Sequence, residues 1–426
     1  MSFEGENRQA IIAYFKQGAK GEKPCKKLGV EVEHFVVHAE SCKAISYEGE
    51  AGAFGVRDIL AYLSEFYPQR MRGIEGDLIG LANDEASLTL EPAAQLEISI
   101  APYERIGDIV RVYEQFRLLV DLFLEQHNCK LVTLGYHPVE KALDLSLIPK
   151  QRYRFMNEYF RTLGTHGERM MRASASTQVS VDYSDEADAV RKLRVAQALV
   201  PILAFLTDNV ERFEGEISKK PLSRLFMWRD VDNDRCGQIP CLYDEGFSFA
   251  TYADWLLSTC PIFVTRASAH NPKSPSLRGV SGLTAAQAYS DALMTSDDIE
   301  HLLSMFWPDV RLKRFVEIRP ADALPICAVA GYAALIKGIF YSSESLSRIE
   351  DAFGVVNGVW PLTSKYTEHA ANAIREDGLQ AELCGMRLEA WQNLLFETAA
   401  TALVRMDCQD ECCYLDDFKT WIENKA

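Results

Sequence analysis

Four short segments of the chain alternate apolar and polar residues with a period of two, the signature of half-buried strands. Leu28–Phe35 (LGVEVEHF) sets Glu31 and Glu33 on one face and Val30 and Val32 on the other. Gln95–Ile100 (QLEISI) sets Gln95, Glu97 and Ser99 against Leu96, Ile98 and Ile100. Thr177–Tyr183 (TQVSVDY) sets Gln178, Ser180 and Asp182 against Val179, Val181 and Tyr183. Arg314–Arg319 (RFVEIR) sets Phe315, Glu317 and Arg319 against Val316 and Ile318. Helical spacing of apolar residues marks Ile106–His127, Asp185–Glu211, Ala328–Tyr341 and Leu388–Met406. Ser184, followed by acidic residues, suits the start of the second helix. The third is apolar on most sides and predicts a buried helix. Ala267–Ser281 (ASAHNPKSPSLRGVS) is polar with two prolines and reads as a surface loop, with a mobile lid as the alternative.

The polar faces change the picture. A strand face in water usually mixes Lys, Thr, Arg and Ser, whereas three of these four carry Glu. Glu is a poor strand former, and like charges on neighbouring strands repel unless a cation intervenes. Hard oxygen ligands on a rigid sheet suit Mg²⁺, and such ions would neutralise a nucleotide triphosphate. Arg319, beside Glu317, would supply a bidentate contact to an oxyanion. The chain has 426 residues, 45 Lys plus Arg and 61 Asp plus Glu, hence a net charge of −16. That balance argues against nucleic-acid binding as the main activity. No GxxxxGK[ST] loop, GxGxxG turn or GxSxG elbow occurs. Phosphate binding then falls to metals and arginines.

Eleven scattered cysteines, an odd number, read as reduced thiols of a cytosolic protein. The acidic, polar start MSFEGENRQA lacks a signal-peptide pattern, so a cytoplasmic location is expected. The longest apolar run, Ile326–Ile336, is too short to span a bilayer, so no membrane partner is expected. His34 and His38 lack the Glu of a zinc motif. Cys408, Cys412 and Cys413 cluster near the C-terminus, and the acidic stretch Asp407–Asp417 reads as solvated surface. No linker interrupts the chain. A single domain over 1–426 is expected, mainly helical from about 325 to 426.

Five segments together resemble the plant-type glutamate–cysteine ligases, a family that also occurs in bacteria. They are Gly29, Glu31, Glu33 and Phe35 in a G-x-E-x-E-x-F strand; Thr89–Ser99 (TLEPAAQLEIS); Gln178–Glu186 (QVSVDYSDE); Trp228, Asp230, Asp232, Arg235 and Gly237 in a W-x-D-x-D-x-x-R-x-G turn; and Pro308–Asp322 (PDVRLKRFVEIRPAD). The resemblance implies an α+β fold, with a curved, mainly antiparallel sheet forming a concave active site flanked by helices, as in glutamine synthetase. It implies ATP-dependent joining of the γ-carboxyl of L-glutamate to the amine of L-cysteine through γ-glutamyl phosphate. Two alternatives stay open: a γ-glutamyl ligase for another amine, and a non-catalytic paralogue that binds nucleotide or glutamate.

The resemblance also implies roles. Glu31, Glu33, Glu91, Glu97 and Glu317 would hold two or three Mg²⁺ ions. Gln95 and Gln178 would be neutral ligands or substrate contacts. Arg319 would meet the γ-phosphate, and Arg235 a substrate carboxylate or the phosphate of the intermediate. Arg311 is a further contact candidate, Trp228 is expected to pack in the core, and Cys236 lies within the same turn as Arg235. The family's Gly-Gly is Ala93-Ala94 here, its Asn is Ser180, and its Gly after E-x-R is Pro320. These departures bear on the choice of amine. Partners are therefore small molecules, and the sequence leaves the oligomeric state open.

Overall fold

The computed structural model describes residues 2–21, 26–50, 53–73, 76–268, 271–280 and 282–425, with backbone alone for 266–268 and 271–278. Its strands are β1 (Leu28–His38), β2 (Gln69–Arg72), β3 (Leu78–Ala82), β4 (Ala86–Leu90), β5 (Leu96–Tyr103), β6 (Cys129–Val132), β7 (Thr177–Val181), β8 (Phe263–Ser268), β9 (Asn271–Gly279), β10 (Val310–Leu312) and β11 (Val316–Ile318), beside three two-residue pairs. The main sheet runs β10-β11-β7-β1-β5-β4-β3-β2, with β6 on the far end of β1, and its pairings are antiparallel. The four alternating segments are thus neighbours, β11-β7-β1-β5, at the heart of the sheet.

Register then aligns their polar residues. Glu33 lies opposite Glu97, Glu31 opposite both Ser99 and Gln178, and Glu317 opposite Ser180. The other face buries Val30, Val32, Ile98, Val179, Val181, Val316 and Ile318 completely. It packs on the helices α1 (Ile106–Glu125) and, further along, α5 (Ile326–Phe340). Between them in sequence come α2 (Gln151–Phe160), α3 (Glu186–Leu206) and α4 (Ser223–Trp228); α6 (Leu388–Arg405) and α7 (Cys412–Glu423) follow.

Helix α5 buries 13 of its 15 residues. Its Gly331 and Gly338 have no side chain where Phe418 of α7 and Ala399 of α6 press in: a Cβ would come within 2.2 Å and 2.6 Å of them. Among the described residues no single helix is long and apolar enough to cross a membrane. The bent pair Ile326–Phe340 and Ser343–Ala352 passes that test together, but α5 is the core helix just described.

Three expectations are corrected here. Asp185, rather than Ser184, caps α3: its carboxylate accepts from the Asp188 amide at 2.8 Å. Ser184 instead donates to the Asp188 side chain. The expected loop over 267–281 is largely the antiparallel hairpin β8–β9, in register from Phe263↔Gly279 to Ala267↔Pro275; residues 269, 270 and 281 lie outside the described set. Glu411, in the stretch expected to be solvated, is 1% exposed. It accepts from Lys337 of α5 at 2.6 Å and from the Ile106 amide at 3.0 Å, tying the C-terminal helices to the core.

Candidate active site

The polar face of the sheet forms one wall of a 610 Å³ cavity, a size that suits small-molecule ligands. The opposite walls come from α2 and the residue before it, from α4, and from the segment 300–307. Glu31 and Glu33 reach the cavity from β1, Glu97 from β5, and Glu91 from the tight turn between β4 and β5. In that turn Ala94 adopts φ +65°. This left-handed conformation costs an L-residue about 1–2 kcal/mol and explains the glycine of the family pattern. The Ala94 amide closes the turn on the Glu91 carbonyl at 3.0 Å.

These four carboxyls all titrate above their ordinary range. Burial is the main cause for each, and mutual repulsion adds to it. Glu31 is pushed up to about 7, with Glu97 and Glu317 adding to burial. Glu33 is pushed up to about 8, with Glu91 and Glu97 adding. Glu91 and Glu97 move the same way. Glu33 is held by the Ser176 amide and hydroxyl, both at 2.8 Å, and Glu97 by Thr89 at 2.9 Å and Ser99 at 3.0 Å. Among the described residues no three such groups converge into a finished cation cage. The donor chemistry nonetheless fits Mg²⁺: four hard oxygen donors whose shared charge calls for a cation.

Positive charge gathers on the β10–β11 side. Glu317 has no exposed surface. It accepts from Arg311 Nε at 2.7 Å, Lys313 Nζ at 2.8 Å and Arg319 Nη1 at 3.0 Å. Burial opposes ionisation of Glu317, but Arg311, Lys313 and Arg319 outweigh it and hold the carboxyl well below its usual range. Arg319 Nη1 also donates to Gln178 Oε1, and Gln178 Nε2 donates to Glu33 at 3.3 Å. A chain of contacts therefore joins the cationic and the acidic halves of the cavity wall.

Not every expected residue arrives. Glu317, expected among the metal ligands, does not line the cavity and pairs with three cations, Arg311 and Arg319 on Oε2 and Lys313 on Oε1. Gln95 reaches the cavity edge, but its amide is spent on the backbone. Nε2 donates to the carbonyls of Arg172 and Ser174, both at 3.1 Å, and Oε1 accepts from the Ala93 amide at 2.8 Å. Arg235 is 1% exposed and does not line the cavity. It is enclosed by Asp232 at 2.5 Å, Tyr159 at 2.8 Å and the Cys260 carbonyl at 2.7 Å. Cys236 is buried beside it, and burial pushes its thiol far above the ordinary range. Trp228 packs against the core, as expected, and also lines the cavity. Lys150, Arg152, Arg224 and Lys313 also line it and were not singled out from sequence. Only the segment of Lys313, VRLKRF, drew attention to itself. The other three stand in stretches that read like ordinary charged surface.

The family described as Glutamate-cysteine ligase family 2 (GCS2) matches residues 27–416. Glutamate–cysteine ligase B, chloroplastic, of Oryza sativa subsp. japonica is 31% identical over 369 residues, 86% of this chain and 71% of that one. The chloroplastic glutamate–cysteine ligase of Arabidopsis thaliana is 30% identical over 352 residues, 81% of this chain and 65% of that one. The crystal structure of the glutamate–cysteine ligase of Francisella tularensis in complex with AMP superposes with a TM-score of 0.52 at 10% identity, over 95% of this chain and 82% of that one. That likeness supports the α+β fold. The cytoplasmic expectation is overturned by these relatives, which are chloroplastic enzymes; free thiols and a polar start do not separate the two compartments. By sequence over most of its length and by fold, the chain belongs to glutamate–cysteine ligase family 2.

Proposed function

We propose that the protein is an ATP-dependent glutamate–cysteine ligase, acting as one catalytic domain. The observation that carries this reading is the cavity wall on which four buried carboxyls, Glu31, Glu33, Glu91 and Glu97, share one space with Arg319, Arg311 and Lys313, with Gln178 linking Glu33 to Arg319. In this reading an oxygen of the glutamate γ-carboxylate attacks the γ-phosphorus of ATP, and ADP leaves. The cysteine nitrogen then attacks the acyl carbon, phosphate leaves, and the amine gives up a proton. Glu31, Glu33, Glu91 and Glu97 would hold Mg²⁺, which supplies charge neutralisation for the phosphates. Arg319, fixed by Glu317 and Gln178, presents preorganised positive charge to the transferring group. Gln178 keeps Glu33 and Arg319 in mutual register.

The test is phosphate release from Mg-ATP with L-glutamate and a panel of amines, with product masses determined. Cysteine-dependent release and a γ-glutamylcysteine mass are expected. Release only with another amine would redirect attention to Ala93, Ala94, Ser180 and Pro320. Nucleotide binding without release would leave a non-catalytic paralogue.

The raised carboxyls also predict a pH signature without turnover. Between pH about 4.5 and about 8 the folded protein retains protons on Glu31 and Glu33 that the unfolded chain has released. Stability of the metal-free protein should therefore fall as pH rises through that window. Mg²⁺ should raise the melting temperature more at pH 8.5 than at pH 6, because protons compete for the same oxygens. Glu33→Gln should flatten both trends. A Mg²⁺ shift equal at the two pH values would remove these carboxyls from the metal set.

A further inference from the structure

Arg224 stands on α4, is 4% exposed and lines the cavity. Its nearest countercharge among the described residues is Asp322 Oδ1, at 3.9 Å from Nη1. The same Nη1 donates to the carbonyls of Pro320 at 3.4 Å and Ala321 at 3.3 Å, so the segment that carries Asp322 wraps the guanidinium. A buried guanidinium depends on its counter-ion, because removing the partner strands a charge.

Asp322 is itself fixed. It is buried, and its Oδ2 accepts from the Asn209 amide at 2.6 Å. Gly135 makes room for it: a Cβ there would fall 2.3 Å from the Asp322 carboxyl carbon. The Asp208 carboxyl, two residues past α3, shares a hydrogen bond with Asp322. Two buried carboxyls in such contact resist ionising together unless a cation stands by. Lys425, two residues past α7, supplies one: its Nζ donates to the Asp208 carbonyl, and its charge acts on both carboxyls. Lys425 lies outside the residues 27–416 that match the family, so the match does not cover this contact.

We propose that Lys425 and Asp322 are positioning residues, which through the Asp208–Asp322 pair hold Arg224 in the cavity wall and set the pH range of turnover from the end of α7. Burial and then Asp208 push Asp322 up to about 7, against Arg224, the Asn209 amide and Lys425. Burial raises Asp208 as well. Lys425 is pushed down to about 8 by burial of its ammonium, against Asp322, Asp208 and Glu211, and so is still a cation where Asp322 titrates. Glu33, Arg319 and Asp309 also act on Arg224, as does the buried Tyr332 of α5. Protonation of Asp322 removes the countercharge of Arg224, so turnover should fall as pH drops through that range.

This proposal rests on the ligase reading, and the experiment separates their failures. The pH dependence of kcat is measured at saturating Mg-ATP, L-glutamate and L-cysteine for the wild type, Lys425→Met, Lys425→Arg and Asp208→Asn. Urea-unfolding midpoints are taken over the same pH range. Loss of the cation keeps Asp322 protonated to higher pH, so the acid limb of kcat should move up by about one pH unit in Lys425→Met. Lys425→Arg keeps the charge and should restore the wild-type limb. Asp208→Asn removes the like charge and should move the limb down. A merely structural role would lower kcat alike at every pH. Such a uniform loss overturns the proposal, and so do limbs that do not move. If Asp208→Asn does not fold, the two Lys425 variants decide by the same criterion. A wild type without turnover defeats the ligase reading, and the unfolding midpoints then decide the charge pairing. Stability should go on falling to higher pH in Lys425→Met than in the wild type, and stop falling at lower pH in Asp208→Asn. One pH dependence shared by all the folded variants overturns the pairing.

Discussion

Glu317→Gln is expected to cost about 3–5 kcal/mol of folding stability and to abolish turnover. The carboxylate is fully buried and is the shared counter-ion of Arg311, Lys313 and Arg319. Glutamine keeps the shape but removes the charge, and its amide sets donors against donors. Arg311 and Arg319, whose side chains are only 9% and 10% exposed, then lose their countercharge. Lys313 is 25% exposed and contributes less, because water already screens it. Sequence reasoning alone, which treats Glu317 as one metal ligand among five, predicts a dead but normally stable variant. Urea unfolding followed by circular dichroism distinguishes the two. A wild-type midpoint combined with weakened Mg²⁺ binding would return Glu317 to the metal set; wild-type activity would remove it from the site.

Arg319→Ala should do the reverse, sparing the fold and slowing the chemistry. Glu317 retains Arg311 and Lys313, so no buried charge is stranded. What disappears is the guanidinium that Glu317 and Gln178 hold in place at the cavity floor. Loss of one preorganised donor to a developing charge typically costs about 10²–10³ in turnover, or about 2.7–4 kcal/mol. Single-turnover formation of ADP from ATP and glutamate should show this loss before any amine is added. A defect seen only as a raised KM for the amine would contradict the role, because the amine enters after phosphoryl transfer.

Much of the site was legible because a strand's side chains alternate. The period of two assigned Glu31, Glu33, Glu97, Gln178 and Arg319 to polar faces before any pairing was known. Their cost on strands flagged a reason for them to be there. Arg224, Arg152 and Lys150 were illegible for the opposite reason. A charged residue on a helix or before one is ordinary surface chemistry, and nothing local says that the fold closes over it. The enclosure of Arg235 was illegible in its motif. The aromatic and acidic groups that enclose it, Tyr159 and Asp232, are partners assembled by the fold. The β8–β9 hairpin escaped because its pairing runs through backbone groups, while its prolines and polar residues mimic a loop.

The sequence by itself determined the four central strands, the buried helix α5, the family and the acidic character of one sheet face, since each is written in local periodicity or in ordered motifs. Only the tertiary structure decided that Glu33 lies opposite Glu97, that Glu317 pairs with three cations, and that Arg224 is buried in the cavity wall. Register, burial and counter-ion choice depend on residues far apart in the chain, whose energies exist only once the chain has closed around them.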